Sequence, residues 1–97
     1  MSLPVILRPE AEQDLEAARD YYDEQAGLGQ AFVDRVSEVL DRIGDTPRLY
    51  AVIWKTVRSC QTRRFPYVIY YRVRTDFVEV LAVLHGRRNP IAWKRRV

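Results

Sequence analysis

The sequence predicts an α+β domain in which a two-helix hairpin packs on one face of an antiparallel sheet. Three observations lead to this prediction. Residues 9–43 carry apolar side chains at helical spacing, residues 67–84 are rich in aromatic and β-branched types, and 97 residues suffice for a single domain spanning 1–97. We expect the order strand, helix, helix and then a three-stranded antiparallel meander (β-α-α-β-β-β), followed by a short C-terminal helical turn.

The chain begins with a predicted strand and helix. Residues Leu3–Arg8 read as a short strand, and Pro9 suits the first turn of the following helix, where its missing N–H would have no partner anyway. The apolar stripe of this helix recurs every three or four residues, at Ala11, Leu15, Ala18 and Tyr22. The remaining surface is mostly acidic, and we expect it to face solvent.

A second amphipathic helix is predicted from about Leu28 to Ile43. Gly27 and Gly29 separate it from the first helix, while Gly44 and Pro47 are expected to stop it. Its apolar side consists of Phe32, Val36, Val39, Leu40 and Ile43. Two such helices joined by a short glycine turn should pair as an antiparallel hairpin.

The second half of the chain predicts strands. Residues Trp54–Arg63 form a weakly patterned strand, Tyr67–Val73 a strong one, and Phe77–Leu84 the most apolar one, which we expect to be central. Short links between them predict a meander, and Ile91–Arg96 predicts a last helical turn. Because both helices have an apolar stripe to bury, they should cover one sheet face and leave the other partly open.

Charge is divided unevenly along the chain. The formal net charge is +3, yet residues 1–47 contain 4 basic against 11 acidic side chains, whereas residues 48–97 contain 12 basic against 2 acidic ones. Pairing between the two halves accounts for part of this division. The excess in the second half predicts an anionic partner, either nucleic acid or an acidic protein segment.

Cysteine usage and hydropathy predict a cytoplasmic protein. The single cysteine, Cys60, cannot form an intrachain disulfide, and we expect it to be a buried or half-buried thiol without a role. No apolar run is long enough to span a bilayer, and the first residues do not resemble a signal peptide.

With this order of elements, the chain resembles the RelE/ParE toxin superfamily, and especially its ParE-like, plasmid-stabilisation branch. The resemblance covers nearly the whole chain. It rests on an ordered set of segments: Ala11-x-x-Asp14-Leu15, Tyr21-Tyr22, Gly27-Leu28-Gly29-x-x-Phe32, Pro47-x-x-Tyr50, Arg64-Phe65-Pro66-Tyr67-x-Ile69-Tyr70-Tyr71, and Val83-Leu84-His85-Gly86-Arg87-Arg88-Asn89-Pro90-x-x-Trp93. It implies a toxin that a cognate antitoxin neutralises, in a hetero-oligomer, without a cofactor. The superfamily contains ribonucleases that cut messenger RNA on the ribosome and ParE-type members that poison DNA gyrase.

If the chain is a ribonuclease, His85, Arg64 and Arg87 are the candidate catalytic residues. His85 is the only histidine, and an imidazole can transfer a proton near neutral pH. Arginine holds phosphate oxygens in pairs and would stabilise charge developing at phosphorus. The structural alternative is that His85 only hydrogen-bonds backbone at the end of the last strand.

Binding of nucleic acid or of a target protein is the second role open to the basic residues. The alternatives are a solvated basic face or a socket for acidic antitoxin side chains. We expect Trp93 to pin the tail to the core. No His, Cys or carboxylate cluster suggests a metal. The candidate binding residues are Lys55, Arg58, Arg63, Arg64, Arg87, Arg88, Lys94, Arg95 and Arg96.

Two gaps favour the ParE-like interpretation over the ribonuclease. No tyrosine follows Tyr71, although a C-terminal catalytic tyrosine is common among the ribonucleases that the chain resembles. No carboxylate lies between Thr46 and Thr75 to serve as a base on the first meander strands. We therefore predict a toxin that acts on DNA gyrase. A ribosome-dependent ribonuclease is the alternative, and an inactive member that only binds its antitoxin is a further one.

Overall fold

The computed structural model describes residues 2–97. It contains five strands and three helices, in the order β1 (Val5–Leu7), α1 (Pro9–Ala26), α2 (Gly29–Asp45), β2 (Val52–Trp54), β3 (Val57–Gln61), β4 (Tyr67–Val73), β5 (Val78–His85) and α3 (Ile91–Lys94). The predicted fold class is confirmed, with one more strand than the sequence indicated. No helix within residues 2–97 is both long enough and apolar enough to cross a membrane.

The two long helices form the predicted hairpin. Pro9 occupies the start of α1, and α1 ends where Gly27 turns into the left-handed region at φ 66°, its N–H bonding to the Asp23 carbonyl at 2.9 Å. A Cβ atom on Gly29 would lie 2.9 Å from the Cβ of Asp23, so a glycine is needed where the two helices meet. Gly27 is required for its left-handed backbone conformation, and Gly29 is required because a side chain there would clash with α1.

The second helix continues past the predicted stop. Gly44 does not end α2, which runs to Asp45. Instead, Gly44 is buried and lies against the N-terminal segment: its carbonyl accepts a 2.8 Å hydrogen bond from the N–H of Leu3, and an added Cβ would lie 3.0 Å from the Leu3 carbonyl oxygen. Gly44 therefore allows α2 and the N-terminal segment to approach closely, and it does not end the helix.

The sheet has the strand order β1-β5-β4-β3-β2. Strands β2 to β5 form an antiparallel meander, and β1 lies parallel to β5 on its other side. The strand predicted over Trp54–Arg63 is present as β3 but is shorter, because Lys55 and Thr56 form a tight turn that separates it from the additional strand β2. Lys55 adopts φ 51° there, a left-handed conformation that glycine and asparagine favour. A lysine at this position therefore does not reveal the turn in the sequence.

The two long helices cover one sheet face, as predicted, and the short helix α3 covers only the centre of the other face. The helix-facing side buries Phe32, Val36, Val39 and Ile43 of α2 with Ala11 and Ala18 of α1 against Ile69, Tyr71, Val78, Val80 and Val83. On the opposite face the four-residue helix α3 places Trp93 in a second apolar cluster with Tyr70, Leu81 and Leu84. The ring of Trp93 stacks on that of Tyr70 with centroids 4.7 Å apart, so the predicted pinning of the tail is confirmed.

Candidate functional site

The basic residues singled out in the sequence do not form one continuous surface. The structure divides them among three locations: one end of the sheet, the turn between β2 and β3 together with α3, and positions where the side chain is bonded within the fold. Exposure and hydrogen bonding distinguish a free cation, which a partner can reach, from a structural one.

Four exposed arginines lie at one end of the sheet. Gln61 pairs with Val68, and Tyr67 pairs with His85, so the β3–β4 turn and the segment after β5 lie beside each other. The N–H of Gly86 donates to the Pro66 carbonyl at 2.7 Å and joins the two segments directly. We call the arginines carried by these two segments the sheet-end cluster: Arg63, Arg64, Arg87 and Arg88.

The turn that carries half of the sheet-end cluster is rigidly built. The hydroxyl of the buried Thr62 donates to the Phe65 carbonyl at 2.9 Å, and its N–H donates to the Tyr67 carbonyl at 3.0 Å. The Phe65 ring is buried against the rings of Tyr22 and Phe32. These contacts maintain Arg64 at φ 71°, a conformation that a non-glycine residue adopts only at a cost of about 1–3 kcal/mol.

His85 lies at the same end of the sheet, but its imidazole ring already contacts other residues of the fold. Its Nδ1 accepts a 3.0 Å hydrogen bond from the N–H of Arg87, and its ring contacts that of Tyr67 edge-on at 5.6 Å. With Nδ1 accepting, the neutral imidazole carries its proton on Nε2 and has no free lone pair to act as a base. Burial, with a smaller contribution from Tyr21, raises the pKa of Tyr67 above its usual value and so further from neutrality.

Two of the predicted binding residues are structural. Arg58 lies on the helix-facing side of β3, opposite Tyr71, and its guanidinium donates to the carbonyls of Arg48 at 3.2 Å and Tyr50 at 2.5 Å. Arg96 forms a two-pronged ion pair with Asp14, at 2.5 and 3.2 Å, and also donates to the Leu81 carbonyl at 3.0 Å. Neither guanidinium is free for a ligand.

The remaining basic residues lie away from the sheet-end cluster. Lys55, in the β2–β3 turn at the opposite end of the sheet, holds its ammonium 4.5 Å from the ring centre of Trp54, and Lys94 of α3 holds its own 5.0 Å from the same ring. Arg95 is exposed after α3. Lys55 and Lys94 form a small cationic area around the indole of Trp54.

Comparison with known proteins identifies the family. Residues 5–90 match the family model described as "ParE toxin of type II toxin-antitoxin system, parDE". The chain belongs to this family. It is 36% identical over 91 residues to "Toxin ParE2" of Mycobacterium tuberculosis, in both strain CDC 1551 / Oshkosh and strain ATCC 25618 / H37Rv, covering 89% of this chain and 84% of the relative. The predicted membership of the RelE/ParE superfamily, in its ParE-like branch, is confirmed.

The fold is also that of a solved relative. A chain in a structure described as "Chromosomal ParDE TA system from P. aeruginosa" superimposes with a TM-score of 0.77 at 19% identity, covering 87% of this chain and 96% of that one. At this identity the likeness concerns the fold. The family match and the 36% identity to the mycobacterial toxins make the chain a ParE-type toxin of the type II toxin–antitoxin class.

The structure of this ParE-family toxin reveals an apolar surface that the sequence did not suggest. Leu49, Val52 and Ile53 are exposed, although they are large and apolar, and they precede or form the unpredicted strand β2. A useful signal in the sequence would have been the run Ala51-Val52-Ile53-Trp54 read as a strand of its own. It was missed because Lys55-Thr56 lacks the glycine or asparagine typical of a tight hairpin turn.

Residues 2–97 contain no group of three or more His, Cys, Asp or Glu side chains arranged to hold a metal ion. Cys60 is a free, buried thiol on β3 within the helix-side core, and its burial is that expected of a packing residue.

Proposed function

We propose that this toxin inhibits growth by binding DNA gyrase in the cytoplasm, as a single domain spanning residues 1–97, and that a cognate antitoxin neutralises it. Membership of the ParE family supports an antitoxin as partner, and the ParE-like resemblance favours gyrase as the target. The sheet-end cluster carries the interaction with the target, through the exposed guanidinium groups of Arg63, Arg64, Arg87 and Arg88.

The observation that carries the proposal is the contrast between these arginines and His85. The arginines are exposed on segments joined to each other by a 2.7 Å backbone hydrogen bond, which suits recognition of an anionic surface. The only histidine has its Nδ1 lone pair occupied, and no carboxylate lies on β2, β3 or the turn that carries Arg63 and Arg64. Such an arrangement supports binding better than proton transfer.

The charge of the whole molecule supports the same conclusion. All eleven acidic residues of the first half lie in α1 or α2, whereas all twelve basic residues of the second half lie after them. The toxin therefore has an acidic helical layer and a basic sheet layer, and the basic layer attracts an anionic partner. A gyrase–DNA complex presents such a surface.

A ribosome-dependent messenger ribonuclease is the second candidate, because His85 lies at the same end of the sheet as Arg64 and Arg87. In that role His85 would first have to release the Arg87 N–H from its Nδ1. Arg64 and Arg87 would then stabilise charge on phosphate.

Short induction of the toxin in cells separates the candidates. We expect the wild-type toxin to cause loss of DNA supercoiling and double-strand breaks while messenger RNA at ribosomes stays intact. His85→Gln should still arrest growth, whereas Arg63→Glu combined with Arg88→Glu should not. Arg42→Glu, an exposed arginine on the acidic helical layer, is the matched control and should remain toxic.

Three results would contradict the proposal. Cleaved messages that become intact with His85→Gln would identify the ribonuclease. Full toxicity of the Arg63→Glu, Arg88→Glu variant would exclude the sheet-end cluster as the target surface. A wild-type toxin that binds its antitoxin but never slows growth would be the inactive member considered above.

A further inference from the structure

The open edge of the sheet carries an exposed apolar segment. Within residues 2–97, β2 pairs with β3 on one side and has no strand on the other. Leu49, Val52 and Ile53 are 69%, 48% and 46% exposed. We call residues 49–53 the apolar edge segment. An uncovered apolar strand edge is a template for pairing with another chain, and folded proteins normally protect such edges.

This segment is held in place rather than loosely attached. The hydroxyl of the buried Tyr71 donates to the Pro47 carbonyl at 2.8 Å, and burial raises the pKa of Tyr71 to about 12, so the hydroxyl keeps its proton. Arg58 donates to the carbonyls of Arg48 and Tyr50. Three carbonyls of the loop before β2 are thus bonded to side chains of β3 and β4. A surface ordered before binding loses less entropy when a partner arrives.

The opposite edge of the sheet is protected. Strand β1 exposes Ile6 at 53%, but it is flanked by Pro4 and Pro9, which have no N–H to offer an added strand. Strand β2 has no proline on either side within residues 48–65. Because no proline adjoins it, the edge of β2 is the better suited of the two to accept a strand.

Charges beside the apolar edge segment define its partner. Arg48 precedes the segment and Lys55 follows β2, and both are exposed. A partner strand that fits would combine apolar side chains with acidic ones. A second copy of this toxin fits poorly, because it would bring a second Arg48 and Lys55 to the same edge.

We propose that the outer edge of β2 binds an extended, apolar and acidic segment of the antitoxin as a sixth strand of the sheet. Backbone hydrogen bonds to residues 52–54 supply affinity, and the side chains of Leu49, Val52 and Ile53 supply contact area. This inference rests on the proposed neutralisation by an antitoxin. It assigns that partner to a surface separate from the sheet-end cluster, since the β2–β3 turn lies at the other end of the sheet.

The test compares the same substitution on the two edges. In Ile53→Glu and Ile6→Glu an exposed isoleucine becomes an acid, and both variants should melt close to the wild-type toxin because neither side chain is buried. The toxin is separated from the co-expressed complex, and its affinity for the cognate antitoxin is measured by calorimetry. We expect Ile53→Glu to bind about tenfold more weakly or worse, and Ile6→Glu to bind like the wild type.

Neutralisation in cells and hydrogen exchange complete the test. Ile53→Glu should still arrest growth when expressed alone but should escape rescue by the antitoxin. Leu49→Glu, outside the strand, should show a weaker form of the same escape. In the wild-type complex, the amides of residues 52–54 should exchange more slowly than in the free toxin, and those of residues 5–7 should not change.

The outcomes are separable. Unchanged antitoxin affinity in Ile53→Glu, or equal losses in both edge variants, overturns the docking site. A toxin dimer that Ile53→Glu dissociates, without an effect on antitoxin binding, assigns the edge to a second copy and also overturns it. Loss of growth arrest with full antitoxin affinity would place the segment on the target surface instead. Failure of the wild-type toxin to bind any cognate antitoxin would contradict the proposed function itself.

Discussion

At the residue scale, Asp14 and Arg96 connect parts of the chain that are 82 residues apart. Strand β1 pairs with residues 78–80 of β5, and within residues 2–97 no strand neighbours the rest of β5 on this side. Asp14 accepts a 3.1 Å hydrogen bond from the N–H of Val83, and Arg96 donates to the Leu81 carbonyl. The ion pair therefore closes the free part of this edge with side chains instead of a strand.

Replacing Asp14 by Ala should destabilise the toxin. It leaves the Val83 N–H and the half-buried Arg96 guanidinium without their carboxylate partner, at a cost of about 1.5–3 kcal/mol, the range for hydrogen bonds to charged groups. Urea unfolding followed by circular dichroism measures this loss. Glu16→Ala, an exposed acid on the same helix, is the control and should change stability by less than about 0.5 kcal/mol. Equal effects of the two substitutions would show that the ion pair contributes nothing.

At the element scale, the short helix α3 depends on its contact with the sheet. Four residues are too few for a helix that is stable by itself. Its position comes from Trp93, which is 4% exposed, stacks on Tyr70 and contacts Trp54 edge-on with ring centres 5.9 Å apart. This element covers the centre of the second sheet face.

Trp93→Ala should uncover that face and cost about 3–5 kcal/mol of unfolding free energy, as is usual when a buried aromatic is truncated. Thermal melting and binding of a hydrophobic dye to the native state measure the two consequences. Trp93→Phe should recover much of the stability, because a ring still stacks on Tyr70. A melting temperature that does not change in Trp93→Ala would mean that α3 does not contribute to the second core.

At the scale of the whole molecule, an ion network joins the segment after β1 to strands β4 and β5. Glu79 of β5 pairs with Arg72 at 2.7 Å, with Arg74 at 3.1 Å and with Arg8 at 3.9 Å. Burial by itself would raise the pKa of Glu79, but the hydrogen bond from Arg72 and the three positive charges outweigh it and lower the pKa below its usual value near 4.5.

The stability of the toxin should therefore depend on pH through Glu79. Because the folded pKa lies below the unfolded one, the contribution is present above about pH 4.5 and is lost as the pH falls through the folded pKa. Glu79→Gln should unfold more easily than the wild type by about 2 kcal/mol at pH 7, and the difference should shrink below pH 4.5. Chemical unfolding at a series of pH values tests this; a difference that is constant with pH would contradict it.

Much of the architecture follows from the amino-acid sequence alone. The helical hairpin, the strands β4 and β5, the tail helix and the family were predictable, because apolar periodicity, proline and glycine positions and turn chemistry act within a few residues. The separation of acidic and basic halves was also visible in the sequence. It becomes an acidic helical layer and a basic sheet layer once the elements pack.

Only the tertiary structure decided which cations are free. Arg58 and Arg63 look alike in the sequence, yet Arg58 is bonded to loop carbonyls while Arg63 is exposed on a turn. The occupied Nδ1 of His85 and the parallel pairing of β1 depend likewise on partners far away in the chain or on local backbone geometry. Whether a side chain is free to bind a partner depends on its neighbours in three dimensions. The order of residues along the chain does not reveal those neighbours.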